Sequence, residues 1–140
     1  MMSNVLQRTL HHLLATMELV PRSNALHRRI GAWASDCLGD QQVASKKERA
    51  YRFFEEALEL AQAAGLSQEE AAEMLKVTYG RSPGFIEEEV ADVRIALSVL
   101  CVPYDIDPEI VTERKLAECM ANSDIIRERQ KRKRFRDPTV

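Results

Sequence analysis

Apolar positions along this chain recur at intervals of three and four, not two. From about Asn4 to Leu19, Val5, Leu6, Leu10, Leu13, Leu14 and Met17 fall at helical spacing before Pro21. A second segment runs from Asn24, a suitable cap, through Ile30 and Trp33 to Leu38, where Gly39 stops it. The third is the longest: it begins near Ser45, passes Tyr51, Phe53, Phe54, Leu58 and Leu60, and stops at Gly65, a residue that accepts the left-handed conformation of many helix ends. Ser67 stands three residues ahead of Glu70, the capping-box spacing, so a short helix opens there. It closes by Tyr79, because Gly80-Arg81-Ser82-Pro83-Gly84 is turn chemistry throughout. The next helix, about Phe85 to Val102, is apolar nearly all round in its second half, which places that half deep in the packing. Pro103 marks its exit. Asp107-Pro108 then reads as cap plus first-turn proline of a helix that continues through Lys115 and Met120 towards Arg134.

No stretch alternates apolar and polar residues, and no Asn-Gly or Asp-Gly turn joins strand-like runs. Ala, Leu, Glu, Arg, Lys, Met and Gln fill 76 of the 140 positions, and these are the strongest helix formers. The expected fold is all-α: a bundle of about five to six helices forming one domain over residues 1–126, followed by a basic tail over 127–140.

Composition excludes several classes. With 20 Lys+Arg against 22 Asp+Glu the net charge is only −2, too small for wholesale disorder in a chain this rich in Leu, Ile, Val and Phe. The longest uncharged run, Ile95 to Tyr104, is ten residues, too short to span a bilayer. The opening residues lack the basic start and small-residue cleavage pattern of a signal peptide, so the cytoplasm is the expected address. Cys37, Cys101 and Cys119 form no C-x-x-C pair and read as reduced, mostly interior thiols. His11, His12 and His27 make no ligand pair on a helix and read as surface residues. Charge is nevertheless segregated. Arg127 to Arg136 holds seven basic residues and one acid, about +6, which leaves −8 on the rest. Such a tail binds a polyanion or is a solvated helix end.

One pattern occurs twice in the same register: Glu55-Glu56-Ala57-Leu58-Glu59-Leu60 and Glu88-Glu89-Val90-Ala91-Asp92-Val93. At about 100° per residue the three acids of each set share an arc of roughly 100°, so each helix carries an acidic stripe. Phe54, Leu58 and Ala61 form the opposite, apolar side of the first helix, and Ile86, Val90, Val93 and Leu97 that of the second. If the two stripes face each other, the crowded carboxylates need neutralising. Hard oxygen donors without Cys or His select Mg²⁺, or Mn²⁺, over zinc. Arg52 lies about 60° from Glu55, inside the acidic arc, placed either to meet a phosphate or to pair with Glu48, Glu55 or Glu56. Trp33, the single tryptophan, is a candidate for stacking on a base.

Glu56-x-x-Glu59 followed at a distance by Glu89-x-x-Asp92 resembles the signature of the MazG-like, all-α nucleoside triphosphate pyrophosphohydrolase superfamily. The run Glu48-Arg49-x-x-Arg52-Phe53-Phe54-Glu55-Glu56-Ala57-Leu58-Glu59-Leu60 is similar to that of bacterial and phage members, and the likeness covers about Ala25 to Cys119. The resemblance implies a helical bundle, usually dimeric or tetrameric, that binds Mg²⁺ and splits a nucleoside triphosphate into monophosphate and pyrophosphate. Glu56, Glu59, Glu89 and Asp92 would then be metal ligands, and Glu59 and Glu55 would handle the attacking water. Lys115 sits where the family often has a phosphate-binding lysine. The basic tail lies outside the likeness and is expected to be dispensable for turnover. The contrasting expectation is a non-catalytic helical interaction module whose tail binds nucleic acid or an acidic partner.

Overall fold

The computed structural model describes residues 25–140, so the expected helix from Asn4 to Leu19 lies outside the described residues. Within them are seven α-helices, one turn of 3₁₀ helix and no strand. The helices are α1 (Ala25–Leu38), α2 (Asp40–Ala44), α3 (Lys46–Ala63), α4 (Gln68–Tyr79), α5 (Ile86–Cys101), α6 (Pro108–Ala121) and α7 (Ser123–Lys131), with the 3₁₀ turn at Val102–Tyr104. The described residues fall into two units that divide after Trp33, residues 25–33 and 34–140. No helix among the described residues is long and apolar enough to cross a membrane.

Local chemistry explains most of the boundaries. Ser45 caps α3: its hydroxyl accepts the Glu48 backbone N–H at 3.0 Å. Past the other end, Gly65 takes φ +96°, where a side chain would be strained. The capping box of α4 is complete, the Ser67 N–H donating to Glu70 Oε2 at 2.8 Å and the Glu70 N–H to Ser67 Oγ at 3.2 Å. The Ser67 contacts hold the Glu70 carboxyl below its ordinary pKa. Asp107 caps α6 by accepting from the N–H groups of Glu109 and Ile110, with Pro108 in the first turn.

Two local features depart from the periodicity reading. Asp40–Ala44 forms a helix of its own between Gly39 and Ser45. The expected continuous helix from Pro108 towards Arg134 breaks at Asn122, whose φ of −117° leaves the helical region. The cause is polar competition for carbonyls. Asn122 Nδ2 donates to the Glu118 carbonyl at 2.8 Å, and Ser123 Oγ to those of Cys119 and Met120. The break redirects the chain into α7 and the segment behind it.

The fully buried apolar side chains among the described residues are Leu26, Cys37 and Leu116. Cys37 fits the expected interior thiol, whereas Cys101 and Cys119 are half-buried, and His27 lies on the surface. The apolar second half of α5 is not enclosed within a single chain. Ile95 and Val99 are each 63 % exposed, as are Val90 at 57 % and Phe54 on α3 at 48 %. A helix apolar on all sides needs neighbours on all sides, and close helix packing here is mainly between neighbours in sequence.

Replacing Ser67 with Ala removes the capping box of α4 and is expected to cost about 1 kcal/mol. The midpoint of urea unfolding measures it.

Candidate functional site

The turn-by-turn geometry of α3 places Glu48, Arg52, Glu55 and Glu59 in one row, at offsets of four, three and four residues. The first three members of that row meet the C-terminal segment, which returns across the start of α3. Glu48 has no exposed surface. Its Oε1 accepts from Gln130 Nε2 at 2.5 Å and lies 3.4 Å from Arg52 Nε, while its Oε2 accepts the Asp137 backbone N–H at 2.8 Å. A buried charge is tolerable only when paired and hydrogen-bonded, and Glu48 is both.

Arg52 spreads over three partners. Besides Glu48, its Nη1 donates to Glu55 Oε2 at 2.5 Å and its Nη2 to the Phe135 carbonyl. Lys133 reaches the other oxygen of the same carboxylate, Nζ to Glu55 Oε1 at 2.7 Å. The Lys133 hydrogen bond, followed by the charges of Lys133 and Arg52, holds the Glu55 carboxyl below its ordinary pKa. Ser45, the cap of α3, also donates to Asp137 Oδ2 at 2.5 Å. Asp137 Oδ1 accepts from the Thr139 hydroxyl and N–H, and these bonds together lower its pKa to about 2. The Phe135 and Tyr51 rings pack 6.0 Å apart. Nearer the start of the segment, Arg127 Nε donates to the Cys37 carbonyl at 2.9 Å, and the Cys37 thiol donates to the Ser123 carbonyl at 3.4 Å.

The acids of the two motifs stand beyond this contact. Glu56 and Glu59 on α3 are exposed, as are Glu88, Glu89 and Asp92 on α5. Glu89 folds back against Gly84, and a Cβ there would meet its carboxylate, so the turn before α5 leaves room for this acid. The described residues contain no group of three or more His, Cys, Asp and Glu placed to hold one metal ion. Each motif therefore presents its own pair of carboxylates, and the single chain does not join the pairs.

The remaining expected residues separate. Arg52 takes the ion-pairing alternative, with Glu48 and Glu55. Lys115 on α6 is well exposed and pairs with Glu118 of its own helix at 3.2 Å. Trp33 is half-buried and belongs to the first compact unit. Sequence reasoning missed Glu48 as a hub, Gln130 and Asp137 as its neighbours, and Lys133 as the partner of Glu55. Their separation of more than 75 residues along the chain carries no local signal. No family model matches the chain, and no curated protein or solved structure matches it either.

Glu48→Ala strands the Gln130 amide, the Asp137 N–H and Arg52 at once and is expected to destabilise the chain by about 3 kcal/mol or more, read by urea denaturation. Asp137 supplies a pH test. Its folded pKa, about 2, lies below its ordinary value of 3.8, so its stabilising effect is full above about pH 4 and is lost as pH falls through about 2. The difference in thermal midpoint between the wild type and Asp137→Asn should therefore be constant from pH 6 to about pH 4 and vanish towards about pH 2.

Proposed function

We propose that this protein is a cytoplasmic, Mg²⁺-dependent nucleoside triphosphate pyrophosphohydrolase of MazG-like type, with a site completed when copies of the chain assemble as a dimer or tetramer. The observation that carries the reading is the repeated acidic stripe. Two helices present the same triplet of carboxylates in the same register; all of these acids but the clasped Glu55 are exposed, and the single chain leaves the apolar faces of both helices uncovered. Exposed apolar surface of this extent marks an interaction face. In this reading, assembly of copies of the chain joins the acidic pairs of α3 and α5 that the single chain leaves apart.

Glu56, Glu59, Glu89 and Asp92 suit Mg²⁺ or Mn²⁺ in kind, being hard oxygen donors on two helices with no thiolate or imidazole among them. When bound, the ion would supply positive charge to the triphosphate and stabilise the pyrophosphate that leaves. The chain's own groups do the rest. Glu59 accepts the proton of the water that attacks the α-phosphorus. Lys115 holds phosphate oxygens by charge-assisted hydrogen bonds, and Arg52, ion-paired in the free chain, joins it when a phosphate displaces Glu55. Glu55, clasped by Arg52 and Lys133, orients its neighbours. The chain has no G-x-x-x-x-G-K-S/T loop to cradle phosphates through backbone amides, so side chains must meet that charge.

With Mg²⁺ present, the protein is expected to release pyrophosphate from at least one NTP or dNTP, with the active species a dimer or tetramer by light scattering. Glu59→Gln should remove that activity while helical content is retained. A full panel of nucleotides giving no turnover with either Mg²⁺ or Mn²⁺ would overturn the reading.

A further inference from the structure

The tail resembles an undifferentiated basic run, but the structure assigns its charges different tasks. Arg127 pairs with Asp124 and the Cys37 carbonyl, Lys131 with Glu128, and Arg136 donates to the Lys131 carbonyl. Arg134 lies over the Phe135 ring at 5.7 Å. Lys133 differs from all of these, because its ammonium is delivered to α3 beside the acidic motif.

The local charges do not cancel. Arg49, Arg52 and Lys133, with Lys47 beside Asp137, face Glu48, Glu55 and Asp137, four cations against three carboxylates, and Glu48 is enclosed and committed to the fold. Glu55 is thus the one accessible anion beneath two cations, with Glu55 and Lys133 each about one-third exposed. The excess matters because of where it sits. Glu59 continues the row one turn further, about 6 Å along the helix axis from Glu55. A triphosphate bound beside Glu59, as the proposed function has it, would lie within about one helical turn of the carboxylate that Lys133 and Arg52 share.

We propose that Lys133, carried back onto α3 by the C-terminal segment, forms with Arg52 a phosphate-binding pair of the nucleotide site, and that Glu55 holds both cations in place until a phosphate displaces it. The inference deepens the proposed function and rests on it for the identity of the nucleotide. The recognised chemistry is a triphosphate chain. A polyanion carrying several charges outcompetes a single carboxylate for two cations, and release of Glu55 exchanges one charge-assisted contact for another. The tail is then part of the site, although no motif announces it.

Calorimetric titration of the full-length protein with inorganic tripolyphosphate, without metal, tests the pair directly. Lys133→Met is expected to weaken binding about tenfold, Lys133→Arg to restore most of it, and Lys131→Met, in the same segment, to leave it unchanged. Glu55→Gln gives the sign that separates the two possible roles. It should tighten tripolyphosphate binding by removing the competing carboxylate, whereas a purely structural Lys133–Glu55 pair predicts weakening, as for Lys133→Met. In turnover assays Lys133→Met should raise KM about tenfold with kcat within about twofold. Equal losses for Lys131→Met and Lys133→Met, weaker binding in Glu55→Gln, or unchanged affinity in Lys133→Met would each overturn the assignment. Failure of the parent reading looks different: the wild type then binds tripolyphosphate in a Lys133-dependent way but turns over no nucleotide. Turnover with a KM indifferent to Lys133 sinks the present inference alone.

Discussion

A carboxylate withdrawn completely from water must recover its lost hydration from neighbours, and Glu48 does so from three directions at once. Gln130 supplies a side-chain amide, Asp137 a backbone N–H and Arg52 a guanidinium. Arg52 lies one turn along the same helix, but Gln130 and Asp137 come from the far end of the chain, so satisfying this one charge obliges the chain to turn back on itself. The rest of the arrangement follows. Arg52 is held against Glu55, Lys133 arrives on the far side of the same carboxylate, and Ser45 caps its helix with one hydrogen bond while tethering Asp137 with another.

A polar lock of this kind takes the place of a large apolar core. The fully enclosed apolar side chains are few, while α3 and α5 expose large ones on the faces opposite and beside their acidic stripes. The chain satisfies its charged row internally and leaves its apolar faces for something else to cover.

Helix limits set by local chemistry were legible. The Ser67–Glu70 box, the Asp107 cap and the stops at Gly39, Tyr79 and Pro103 all depend on residues within about four positions of each other, so a linear reading captures them. The break at Asn122 was not, because helix propensity ranks residues one by one and misses two side chains competing for the same turn of carbonyls. The second half of α5, expected deep in the packing, is exposed instead, because an all-round apolar pattern says that a helix can be buried but not that its own chain supplies the neighbours.

At the candidate site the same boundary applies. The sequence by itself determined the all-helical character of the chain, the position of each acidic stripe on its helix and the apolar side behind it, since those follow from a fixed rotation per residue. Folding in three dimensions was needed to bury Glu48 and to bring a residue as late as Lys133 beside Glu55. Those outcomes come from closing contacts across more than 75 residues. Closure is governed by the balance of desolvation and pairing in three dimensions, and no interval along the chain encodes it.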